Sequence, residues 1–207
     1  MSLIKLRTGL IVAADGSENP PRSDKQGAQV ITQGHGKYTE TAFRKKLCYS
    51  YCAARATSVL TTAMIGNIVW NPPGSGVLLA LGPWSMQIEV TSATCTGIVL
   101  GYSAQTAAPT TTTVPDSYGS TFLNASSPGN CAAKAYAIGT VAVAPTPIIH
   151  LLHNTAAIAT TGIDKASGDF DGMFIVSPGY LVCFGALGAA VAASGMTSTL
   201  CWEEIPE

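Results

Sequence analysis

Trp84-Ser85-Met86-Gln87-Ile88-Glu89-Val90 alternates without a break, with Trp84, Met86, Ile88 and Val90 apolar and Ser85, Gln87 and Glu89 polar. Successive side chains of an extended strand point to opposite faces, so a period of two describes an antiparallel strand with one face in a core and the other in water. Residues 97–103, with Ile98, Val99, Leu100 and Tyr102, are expected to lie beside it. Upstream, residues 59–64 and 65–70 carry the Val, Ile, Thr and Trp typical of strands. Asn71-Pro72-Pro73-Gly74-Ser75-Gly76 then reverses the chain before a further strand over 77–81, because Pro fixes φ and Gly permits positive φ.

Downstream, residues 133–143 and 147–153 read as strands separated by Ala144-Pro145, and residues 173–177 and 180–187 as strands about a Pro178-Gly179 turn. Residues 196–203 close the series. Residues 107–115 read as a Thr/Pro loop, and residues 154–170 as a long polar surface loop. A short helix competes only over 39–56, where Ala42, Leu47, Tyr51 and Ala54 could share a face. The expected fold class is all-β, a jelly-roll-like antiparallel β-sandwich of roughly eight to ten strands. Its body spans residues 34–207, preceded by an extended basic N-terminal arm over residues 1–33.

The 207 residues suit one domain. Only 11% of them are charged, against roughly 25% in an ordinary globular protein. An exterior of Thr, Ser, Ala and Gly implies a surface covered by partners, so extensive self-association is the first functional expectation. Charge is also lopsided: residues 1–55 hold nine of the eleven basic residues against four acids, a net of +5, and the remainder is −6. Such asymmetry marks a segment that docks onto something of opposite sign, and Lys5, Arg7, Arg22 and Lys25 are the candidate interface residues. Because no aromatics interleave with these cations, nucleic acid is not an expected partner. The patch at residues 10–14 is too short for a signal peptide, and no apolar run reaches the roughly 18 residues of a membrane span. Synthesis in the cytoplasm, with no membrane partner, is expected.

No catalytic constellation emerges, and no cofactor is expected. His150 and His153 form an H-x-x-H pair, but in a strand the two rings should face opposite sides, which argues against a metal. Asp164, Asp169 and Asp171 cluster before Gly172 without the twelve-residue calcium-loop spacing, so backbone capping in a turn is the expected role. Gly34-His35-Gly36-Lys37 lacks the upstream Gly of a phosphate loop, and Tyr38 stands where Ser or Thr is needed. Gly101-Tyr102-Ser103-Ala104-Gln105 fails as a nucleophile elbow at its last position. Cys48 and Cys52 are spaced C-x3-C, but the two further ligands of a zinc site cannot be placed from the sequence. With Cys95, Cys131, Cys183 and Cys201 they read as buried free thiols. Glu89, Glu203 and Glu204 are the acids on strands and are expected to face solvent or an interface, whereas Trp84 and Trp202 fall on inward faces.

Two stretches carry a resemblance. Ile68-Val69-Trp70-Asn71-Pro72-Pro73-Gly74-Ser75-Gly76 followed by an apolar strand resembles a strand-turn-strand element of uncharacterised structural proteins of tailed bacteriophages. The ending, Val176-Ser177-Pro178-Gly179-Tyr180 through Leu200-Cys201-Trp202-Glu203-Glu204-Ile205-Pro206, resembles the same proteins, as does Gly36-Lys37-Tyr38-Thr39-Glu40 more loosely. The likeness spans residues 34–206. It implies a virion protein with a jelly-roll body, a homotrimer of the kind formed by TNF-like modules, assembled in the host cytoplasm and bringing no catalytic residues. A non-enzymatic capsid decoration or cement protein bound to the major capsid protein is the expectation. A receptor- or carbohydrate-binding module of a tail fibre or spike is the alternative.

Overall fold

In a computed structural model of the chain, residues 47–88, 95–119, 131–153, 164–188 and 190–207 are described. The expected arm with Lys5, Arg7, Arg22 and Lys25, the Gly34–Lys37 stretch and Glu89 lie outside the described residues. The strands, in order, are β1 (Leu47–Thr57), β2 (Ala63–Asn71), β3 (Val77–Ile88), β4 (Gly97–Ala104), β5 (Thr110–Thr113) and β6 (Ser117–Gly119). They continue with β7 (Lys134–Thr140), β8 (Thr146–His153), β9 (Asp164–Asp169), β10 (Ile175–Val176), β11 (Tyr180–Leu187) and β12 (Val191–Pro206). Among the described residues there is no helix; of the 39–56 stretch where one competed, residues 39–46 lie outside the described residues and the rest belongs to β1.

One sheet runs β10-β3-β12-β1-β6, with β9 also paired to β3, and the other runs β5-β7-β2-β11-β4-β8. Successive strands mostly change sheets, as from β1 to β2, β2 to β3, β3 to β4 and β11 to β12. With β5, β6 and β7 set aside, the orders β10-β3-β12-β1 and β8-β4-β11-β2 are the paired four-stranded sheets of a jelly roll. β1 and β12 pair centrally, with Cys48 opposite Trp202 and Ser50 opposite Leu200.

This alternation between sheets corrects several expectations. Residues 97–103 do not flank the Trp84 strand, because β4 belongs to the opposite sheet and β3 is flanked by β12, β9 and β10. The Asn-Pro-Pro-Gly turn reverses the chain as expected, with the Ser75 N–H donating to the Pro72 carbonyl at 3.1 Å, but it joins strands of different sheets. The Pro178-Gly179 turn also crosses between sheets, with Gly179 at φ +83°. Buried Asn71 ties the two crossings together. Its Nδ2 donates to the carbonyls of Val77 (2.9 Å) and Val176 (3.0 Å), and its own carbonyl accepts the Gly179 N–H at 2.8 Å.

Part of the polar 154–170 stretch forms β9, an edge strand with mostly exposed side chains paired along β3. Thr110–Thr113, expected as loop, likewise pairs at an edge with β7. Residues 59–62 are not a strand. They cover the outer face of the second sheet, bridging it at Val59 and Ala186.

Between the sheets lies the main core, with Met86, Ile88, Ile98, Leu100, Val182, Phe184, Leu200 and Trp202 among its buried residues. Trp84 packs partly buried against it and stacks on Phe170 at 5.9 Å. Met86 and Ile88 thus take the inward side that the alternation assigned them. A second apolar layer, containing Ile68, Trp70, Leu181 and Cys183, occupies the outer face of the second sheet with Leu60 packed on it. Leu60 seats directly over two glycines, since a Cβ on Gly185 would stand 2.2 Å from its Cδ2 and one on Gly101 2.8 Å. Gly185→Ala is therefore expected to expel Leu60 and cost about 1–3 kcal/mol. Urea unfolding monitored by circular dichroism measures this, and an unchanged midpoint would refute the seat.

Gln105 fastens the loops over this layer. Its Nε2 donates to the Val143 carbonyl at 2.8 Å and its Oε1 accepts the Ala142 N–H at 3.0 Å. The Gln105 carbonyl accepts the Trp70 indole N–H at 2.8 Å.

All six cysteines are buried, and none is in a disulfide. Burial pushes the Cys183 thiol from 9.0 up to about 12, and burial with the Asp169 charge takes Cys201 to about 12. Above pH 9 these thiols ionise in the unfolded chain but stay protonated in the fold, so the unfolded state binds fewer protons and stability falls with rising pH. The loss is expected between pH 9 and 12 at about 1.4 kcal/mol per pH unit for each thiol. A urea midpoint that stays flat from pH 8.5 to 11 would contradict it.

Candidate functional site

Among the described residues, three places concentrate chemistry or accessible surface. The first is interior. Cys48 on β1, Cys131 just before β7 and Glu204 on β12 are all buried, and their Sγ and carboxylate atoms lie within 4.8 Å of one another. Strand alternation puts Cys48 and Glu204 on the inward side of the β1–β12 pair, and Cys131 enters from the segment that leads into the opposite sheet. Glu204 Oε1 accepts the Ala133 N–H at 2.9 Å, which orients the carboxylate, and no Lys or Arg among the described residues pairs with it. The Cys131 thiol donates to the Gly119 carbonyl at 3.1 Å.

Tyr118 borders the cluster, its hydroxyl donating to the Ala133 carbonyl and its ring stacked on Trp202 at 6.3 Å. The Cys48 thiol is held far above its ordinary value, first by its hydrogen bond with Cys131, then by burial and the nearby charges of Cys131 and Glu204. Burial, then Cys131, Cys48 and Glu204, raises the Tyr118 phenol in the same way. Glu204 corrects the solvent-facing expectation. Its alternation in β12 aims it inward, and the Ala133 N–H satisfies it there. Cys52, the spacing partner of Cys48, is not in the group, since four strand residues separate the two by about 13 Å.

The second place is a groove of about 470 Å³ on the outer face of the first sheet, across β1, β12, β3 and β9. Its wall is a ladder of uncharged hydrogen-bonding side chains, Tyr51, Thr199, Ser85, Thr197 and Gln87, ending at Lys165. Among the described residues no carboxylate, imidazole or thiol lines it.

The third is an apolar mouth of about 240 Å³ at one open side of the sandwich. Tyr102 and Tyr180 continue the inward rows of Ile98–Leu100 and Val182–Phe184 beyond the cover of the facing sheet. They are 44% and 41% exposed, and Ile148 on β8 and Ile175 on β10 are 40% and 49% exposed. Both of those strands are sheet edges.

The chain matches no protein-family model, no curated protein and no solved structure.

The other sequence candidates stay apart from these places. His150 and His153 share a face, contrary to expectation, with ring centroids 6.1 Å apart in an edge-on arrangement. The cause is a β-bulge: His150 pairs with Val99 and Leu152 with Ile98, so Leu151 is an extra residue that restores the parity. Both histidines are exposed. Asp169 takes the expected capping role, its Oδ1 accepting the Asp171 N–H at 2.8 Å in a turn where Asp171 and Gly172 have φ +56° and +73°. The Asp164 side chain lies outside those described. Glu203 is half-buried opposite Leu47.

Proposed function

We propose that the chain is a non-enzymatic structural protein of a bacteriophage virion, a homotrimeric decoration or cement protein on the capsid. The observation that carries the self-association is the apolar mouth. Tyr102, Ile148, Ile175 and Tyr180 are large, exposed and uncharged, and they are flanked by β8 and β10, which end their sheets among the described residues. Edge strands beside an apolar surface favour association, and burying them against a second copy yields on the order of 25 cal/mol per Å² before association costs. Charge supports the same reading. Beyond residue 55 only Lys134 and Lys165 are basic, so the acidic body of one copy, or of a capsid subunit, complements the basic N-terminal segment of another.

Paired substitution of Tyr102→Lys and Tyr180→Lys is expected to convert the oligomer to monomer without changing the circular dichroism spectrum. An oligomer that survives both lysines would remove the mouth from the interface.

The alternative reading, a carbohydrate-binding module of a tail fibre or spike, draws on the polar groove. Hydroxyl, amide and ammonium groups beside the ring of Tyr51 suit a neutral glycan. A glycan array separates the two readings, because saturable binding that Tyr51→Ala abolishes belongs to the module alone.

A further inference from the structure

We infer that Cys48, Cys131 and Glu204 form a zinc-binding site that staples the two sheets from inside. Two thiols and a carboxylate, drawn from β1, the approach to β7 and β12, converge in the interior with their ligand atoms mutually within 4.8 Å. Tetrahedral zinc with Zn–S near 2.3 Å and Zn–O near 2.1 Å sets its ligands about 3.6–3.8 Å apart. The observed separations exceed those by no more than about 1.2 Å.

Donor chemistry selects the metal. Thiolates are soft ligands, a carboxylate is tolerated by zinc, and a mixed sulfur and oxygen set does not suit calcium or magnesium. The carboxylate is oriented before any metal arrives, because Glu204 Oε1 accepts the Ala133 N–H. Hydrogen bonding to a ligand's remaining atoms is how protein sites fix coordination geometry. Coordination would also give the Glu204 carboxylate a cationic partner. Glu204 is buried with no basic partner among the described residues, and a buried charge is costly unless paired or coordinated to a metal. On binding, the Cys48 and Cys131 thiols each release one proton to solvent and two Zn–S bonds form. The site then carries two thiolates and one carboxylate against one dication, a net charge of −1. No electron transfer is involved.

The placement explains what such a site would do. Among the described residues no disulfide joins the sheets, and a metal held by β12, β1 and the lead into β7 would cross-link strands distant in sequence. Binding energy at a structural zinc site is folding energy.

The test uses the full chain purified under reductant and loaded with zinc or cobalt(II). One metal per chain is expected, with a thiolate-to-cobalt charge-transfer band and the intense visible bands of tetrahedral cobalt. Cys131→Ser and Glu204→Gln should each weaken binding by more than about tenfold. Cys183→Ser, at a thiol outside the cluster, should retain the cobalt spectrum. A reduced wild-type chain that binds no metal overturns the site, and that result does not depend on any variant folding. So does a cobalt spectrum that survives Cys131→Ser, or a native chain whose mass shows two hydrogens lost to a Cys48–Cys131 disulfide.

Discussion

Trp202→Ala is expected to destabilise the sandwich by about 3–5 kcal/mol, a large fraction of the stability of a domain this size. Trp202 is fully buried on the strand that occupies the middle of its sheet, opposite Cys48 on β1 and stacked on Tyr118. Removing the indole leaves a cavity where β12, β1 and the residues from the opposite sheet meet, and their pairing prevents collapse into it. The central β1–β12 pair closes the jelly roll, so the loss should appear as a single cooperative shift of the urea midpoint. Circular dichroism measures it, and a change below about 1 kcal/mol would mean that the β1–β12 core is not organised around this ring.

Deleting residues 1–25 is expected to abolish attachment to the particle while leaving the body folded. The deletion removes Lys5, Arg7, Arg22 and Lys25 but no residue of any described strand, since β1 begins at Leu47. Far-ultraviolet circular dichroism and the thermal midpoint should match those of the full chain. Co-sedimentation with particles lacking the protein should fall to background, and the full chain's binding should weaken with added salt because the segment acts through charge. Undiminished binding of the truncated chain would refute the docking role of the arm.

Elements with a one-sided environment could be read from the sequence. Trp84, Met86 and Ile88 alternate because β3 has a core on one side only, and the Pro-Gly turns stand out because φ there is restricted to those residues. β9 carries no such signal for the opposite reason. An edge strand made of Asp164-Lys165-Ala166-Ser167-Gly168-Asp169 is mostly exposed, so no periodicity marks it. Sheet membership was equally hidden, because jelly-roll pairing joins β1 to β12 across nearly the whole described chain. The buried cluster needed the same long-range closure: Cys48, Cys131 and Glu204 have no common spacing, and only the fold makes them neighbours. Local spacing misled for His150 and His153, where one bulged residue reversed the parity that a regular strand would impose.

Self-association through an uncharged exterior is what the functional account rests on, and sedimentation velocity of the full chain at micromolar concentration tests it most directly. A single species of three times the 21.3 kDa chain mass, unchanged on dilution, is the predicted result. A stable monomer under those conditions would contradict it.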